Sequence, residues 1–167
     1  MSNAITEWYS MKRIRSILTM KAILGAAFYL TVLSGSVEAA CSLTSTSMVF
    51  GTYDVLNGTP LDTSGSVVYR CSQRDHGIMI TLDRGGATSY TARRMVKGSE
   101  QLFYNLYMDA GRTVIWGDGS GGTQAYFVHN PQGNNQDLTV PIFGRIPAGQ
   151  DRAIGAYSDT IIVTLNY

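Results

Sequence analysis

The chain has 167 residues, room for one domain, with 44% hydrophobic and 15% charged residues. Its 13 Lys and Arg against 12 Asp and Glu give a net charge of +1, but the excess lies at the start. Residues 40–167 carry 9 basic and 10 acidic side chains, about −1, so they hold no phosphate-neutralising surface and exclude nucleic acid as the expected partner.

Lys12, Arg13, Arg15 and Lys21 precede an apolar run from Ala22 to Leu33. As a helix that run is about 18 Å long, short of the ~20 residues a bilayer span needs. Small residues follow (Ser34, Gly35, Ser36, Ala39, Ala40). Basic flank, short apolar core and small residues are the parts of a secretory signal peptide, so residues 1–39 are expected to be a leader and 40–167 the domain. Cutting between Ala39 and Ala40 puts Val37 and Ala39 at the positions the peptidase reads. Length argues against a retained anchor, so no membrane association is expected after leader removal. Glu38, three before Cys41, argues against a lipoprotein. The ten residues before Met11 fit no part of a leader, which makes Met11 or Met20 alternative starts.

Cys41 and Cys71 are the two cysteines, and an exported chain most economically pairs them.

Strand signals then recur without convincing helical ones. Ser47–Phe50 leads into the turn-rich Gly51–Pro60. Ser66–Arg70 is β-branched and aromatic, and Ile78, Ile80 and Leu82 alternate with polar or outward positions. Further strands are expected over 102–108, 113–116, 124–128, 138–143 and 160–167. Pro141 cannot donate a ladder hydrogen bond, so its strand should be an edge or bulged there. Short strands separated by frequent turns predict an all-β sandwich.

Phe50-Gly51-Thr52-Tyr53-Asp54, Leu106-Tyr107 with Asp109, Trp116-Gly117-Asp118-Gly119, Ile142–Gln150 and Gly155–Thr160 occur in that order. This ordered set resembles the spore coat protein U domain family, shared by pilins of archaic chaperone–usher pili. The resemblance implies an immunoglobulin-like sandwich lacking its last strand. It also implies a groove filled first by a periplasmic pilus chaperone and then by another pilus subunit, with assembly through an outer-membrane usher. The physical principle is strand addition to an open sheet edge, for which chaperone–pilin complementation is a stock example. The expected groove residues are Met48, Phe50, Ile161, Val163, Leu165 and Tyr167. Export to the cell surface, and action in attachment and biofilm formation, are the corresponding functional expectations; a spore- or cell-surface coat protein is the alternative. Rod subunits of this kind carry a donor segment before the first strand. With cleavage after Ala39 only Ala40 precedes Cys41, which suggests a tip position.

Catalysis is poorly supported. Gly117–Gly122 is similar to a serine-protease nucleophile loop but carries an extra glycine between Asp118 and Ser120, and only His76 and His129 are available as bases. A small secreted hydrolase is thus a remote alternative, and no cofactor is expected. Asp109, Asp118 and Asp137 lack calcium-loop spacing, and no metal site is expected. Arg93-Arg94 reads as a solvated face. Tyr90, Trp116, Tyr126 and Phe127 flank Gly-rich loops and are candidate adhesive aromatics, against core packing as the competing reading.

Overall fold

The computed structural model describes residues 41–72 and 77–166; the expected leader, His76 and Tyr167 lie outside the described residues. In chain order the strands are β1 (Cys41–Ser47), β2 (Leu61–Cys71), β3 (Ile78–Leu82), β4 (Arg94–Lys97), β5 (Glu100–Phe103), β6 (Asn105–Tyr107), β7 (Tyr126–Val128), β8 (Asp137–Ile146) and β9 (Val163–Asn166). A short 3-10 turn covers Tyr90–Ala92. Each strand pairing is antiparallel. The strands form one sheet ordered β1-β2-β8-β6, a second ordered β7-β3-β9, and a β4-β5 hairpin.

Alternation sets the layers. Val67, Tyr69 and Cys71 of β2, Ile78, Ile80 and Leu82 of β3, and Val140, Ile142 and Ile146 of β8 all point into one shared core. Met79 and Phe127, register partners on β3 and β7, face outward instead. The expected sandwich is therefore present. Of its edge strands, β1 pairs only with β2 and β9 only with β3.

Cys41 stands directly opposite Cys71 in the β1–β2 register, and the two are joined by a disulfide. The register shifts between Leu43 and Ser45, with Thr44 as the extra residue. The Thr44 hydroxyl donates to the Val68 carbonyl at 3.2 Å across this bulge.

Several boundaries differ from expectation. The first strand is the Ser/Thr-rich Cys41–Ser47, and Met48-Val49-Phe50 follows it as irregular chain. The stretch expected as one strand over 102–108 breaks at Tyr104, whose N–H donates to the Arg93 carbonyl. There the chain leaves β4 and joins β8. Pro141 behaves as its chemistry requires: β6 reaches only residues 143–145 of β8, so β8 is a free edge at the proline. The final strand is shorter than expected, because two aspartates take over the backbone contacts of residues 160–162, as described next.

Candidate functional site

A cleft of about 1120 Å³ opens between the β1 and β9 edges. Its floor is core: Val67, Leu82, Leu106, Ile142 and Ile146. Its walls are the chain from Met48 to Val55 on one side and from Arg152 to Val163 on the other.

The first wall rests on a glycine. A Cβ on Gly144 of β8 would come within 2.6 Å of both Met48 Sδ and Phe50 Cζ, so only glycine lets this segment lie so close to the sheet. The Phe50 ring meets Tyr104 edge-on, with centroids 5.6 Å apart. Tyr53 anchors the far end, its hydroxyl donating to the Pro147 carbonyl and accepting from the Gln150 N–H. Gln150 in turn holds both backbone groups of Phe103, at 2.8 and 2.9 Å.

Hydrogen bonds pin the second wall. Ser158 exchanges two backbone bonds with Val96, at 2.8 and 3.2 Å. The Asp159 carboxylate accepts from the Tyr104 hydroxyl at 2.8 Å and from the Gly86 N–H at 3.1 Å. Burial, and then the neighbouring Asp159, push the Tyr104 phenol well above its ordinary pKa, so it remains a donor. Gly85, held at φ 58°, has no room for a Cβ beside that carboxylate. The Asp83 carboxylate accepts from the Ile162 N–H at 2.9 Å, and the Asp83 N–H donates to the Ile162 carbonyl. Carboxylates thus stand in for the backbone acceptors of a ladder at Thr160 and Ile162, just before β9 begins.

Met48, Phe50, Ile161 and Val163 all line this cleft. Leu165 packs against the core without lining it. Val163 and Leu165 are only half-buried although they face the same side as the core residues of β3. The composition of the floor was readable as core; the wall contributed by residues 152–158 was not, since it contains no strand signal.

Behind the second wall lies a feature that sequence reading placed wrongly. Arg93, expected on a solvated face, is completely buried. Its guanidinium donates to the Asp83 carbonyl at 2.6 and 3.1 Å, to the Trp116 carbonyl at 2.8 Å, and to Asn105 Oδ1 at 3.0 Å. It also lies over the Tyr90 ring, 5.3 Å from its centroid. Burial lowers its pKa, and the carbonyl cage is what makes a buried cation tolerable.

The expected adhesive aromatics divide. Trp116 is fully buried, with its indole N–H donating to the Ile80 carbonyl, and Tyr90 is 8% exposed beneath Arg84 and Arg93. Neither presents an aromatic face to a surface, because each fills space between the sheets or under a guanidinium. Tyr126 is half-buried against Trp116. Phe127 is 50% exposed, on the outer side of β7, with its ring edge-on to His129.

In the glycine-rich loop the Ser120 hydroxyl and N–H both donate to Asp118, at 2.6 and 2.8 Å. The Ser120 hydroxyl bond, followed by that of its N–H and of the Tyr90 hydroxyl, holds the Asp118 carboxyl at about 2, below its ordinary 3.8. A group that binds its proton less tightly when folded leaves the unfolded chain holding more protons between those values. Stability contributed by Asp118 is thus complete above pH about 4 and lost as pH falls through about 2. Urea midpoints measured from pH 6 down to 2 should fall less steeply in Asp118→Asn than in the parent.

The sequence profile of the spore coat protein U domain matches residues 27–164. The chain belongs to this family. Within it, Protein U of Myxococcus xanthus is 32% identical over 149 residues, covering 79% of this chain and 80% of that protein. Among solved structures, one chain of the chaperone–tip adhesion subunit pre-assembly complex from the archaic chaperone–usher Csu pili of Acinetobacter baumannii superposes with a TM-score of 0.51 at 18% identity. That match covers 76% of this chain and 39% of the other, so the protein shares its immunoglobulin-like fold with part of a longer chain. A chaperone–usher pilus structure matches 89% of this family member at 15% identity and a TM-score of 0.46. The family takes its name from a spore coat protein, and both solved neighbours come from chaperone–usher pili. Among the described residues no helix is long and apolar enough to cross a membrane.

Proposed function

We propose that this spore coat protein U domain is an exported subunit of a chaperone–usher pilus that works by accepting a β-strand. The observation that carries the reading is the apolar cleft running between two unpaired strand edges, β1 and β9. A strand laid there hydrogen-bonds along an edge and sends alternate side chains onto the floor of Val67, Leu82, Leu106 and Ile142. An open edge of this kind is also an aggregation template, which gives a periplasmic chaperone, and then another subunit, a physical role. The groove set is Met48, Phe50, Ile161 and Val163, with Leu165 behind it. An outer-membrane usher, attachment and biofilm formation belong to the same reading, with Phe127 as the exposed aromatic. Cleavage after Ala39 would make the chain an acceptor without a donor segment, hence a tip subunit; N-terminal sequencing of the exported protein tests that part.

The test is direct. The full chain is refolded under oxidising conditions with and without a synthetic peptide of alternating valine and threonine. Peptide at about 100 times its Kd should add roughly 2.7 kcal/mol to unfolding stability and convert aggregates into monomer. A refolded chain that is a soluble, urea-resistant monomer indifferent to peptide overturns the reading. A coat protein with the same domain is the second reading, favoured by the 32% identity to Protein U. Deletion of the gene followed by imaging separates a lost fibre from a lost coat.

A further inference from the structure

One polar atom in the cleft has no partner. Arg152 is the single basic residue among the described residues that line it. Its Nε is shielded from solvent and makes no hydrogen bond. The other charged lining groups are already engaged: Asp54 accepts from the Leu56 N–H, and Asp159 from Tyr104, Gly86 and Thr160. Arg152 lies two positions after Gln150, which is fixed to Phe103 and Pro147. A shielded guanidinium N–H without an acceptor is costly, and the fork geometry of arginine matches a carboxylate.

We infer that the strand taken up by this cleft carries a carboxylate, Asp or Glu, at the position that reaches Arg152, with apolar residues at alternate positions along the rest of the strand. The inference rests on the strand-acceptor reading above and adds charge and register to it. Apolar alternation alone lets a strand slip by two residues and still bury the same face. A single ion-paired position removes that freedom, so Arg152 acts as the register stop for the incoming strand.

The probe is a series of labelled synthetic peptides of alternating valine and threonine. One glutamate is moved along each in steps of two, and a glutamine series serves as control. Binding to the refolded full chain is read by fluorescence anisotropy. One glutamate position should bind about tenfold or more tighter than its glutamine counterpart. That preference should vanish in Arg152→Gln and shrink in Arg152→Lys, which keeps charge but loses the fork. Normal binding of the glutamine series to Arg152→Gln certifies its fold; if that variant binds nothing, the lysine variant decides. Equal binding of glutamate and glutamine peptides at every position overturns the register stop and leaves strand uptake standing. Failure of every peptide to bind overturns strand uptake and the inference together.

Discussion

Replacing Arg93 by alanine should lower unfolding stability by about 3–5 kcal/mol, read as a drop in urea midpoint at unchanged slope. The side chain is fully buried and donates four hydrogen bonds to three acceptors on three separate segments of the chain. Two of those acceptors are backbone carbonyls, of Asp83 and Trp116, and cannot be removed along with the arginine. Buried ion pairs can often be exchanged for apolar side chains at no loss, because both partners leave together. Here one partner stays, so an apolar replacement of similar length, Arg93→Met, should not rescue the domain. Arg93→Lys should fail as well, since an ammonium on a single stem cannot span Asp83, Trp116 and Asn105 at once. The damage should reach the cleft. Asp83 is the residue whose backbone N–H and carboxylate fix Ile162 just ahead of β9, so peptide uptake should weaken more than a uniform loss of stability explains. A variant within about 0.5 kcal/mol of the parent, the range of ordinary surface substitutions, would remove the central role assigned to this arginine.

What sequence could and could not reveal follows from the kind of signal each element carries. β2, β3 and β8 are legible because their inward residues are large, apolar and spaced by two, as in Ile78, Ile80 and Leu82. The disulfide was legible because only two cysteines exist and the basic and apolar pattern before them led one to expect an oxidising destination. β1 was missed in favour of the residues just after it. Cys41–Ser47 is made of serines and threonines, and its pairing is specified by the disulfide and by β2 rather than by its own alternation. Met48 and Phe50 looked like strand because they are apolar; they are apolar because they form a cleft wall over Gly144. Arg93 was unreadable for a different reason. Nothing local distinguishes a caged arginine from a solvated one, and the cage comes from Asp83, Asn105 and Trp116, up to 23 positions away. Trp116 beside a glycine loop looked available to a surface, yet the loop folds back and leaves the indole inside. The wall from Arg152 to Asp159 follows the same logic, since it is ordered by contacts to Val96, Tyr104 and Gly86 rather than by its own pattern.

Loss of the disulfide should be felt twice, and the two effects are separable. Cys41 and Cys71 are 30 positions apart, and on the chain-entropy model opening such a loop costs about 3.6 kcal/mol at 25 °C. The double variant Cys41→Ser/Cys71→Ser should therefore unfold at a clearly lower urea concentration, as should the parent treated with a thiol reductant. If the bond only restrained the unfolded chain, the folded cleft would be untouched and peptide affinity unchanged. The fold predicts otherwise. β1 is an edge strand held by one ladder, interrupted by the bulge at Thr44, and its inward apolar residues are the buried Cys41 and the half-buried Leu43. The bond is thus the main tether at the start of the strand that leads into Met48 and Phe50, the first wall of the cleft. Removing it should let that wall fray, so peptide binding in the folded population should weaken about tenfold, the equivalent of roughly 1.4 kcal/mol of local opening. Anisotropy titrations below the unfolding transition measure this directly. Unchanged affinity alongside a lowered urea midpoint would assign the bond entirely to the unfolded state, and with it would go the idea that β1 holds the cleft open for its strand.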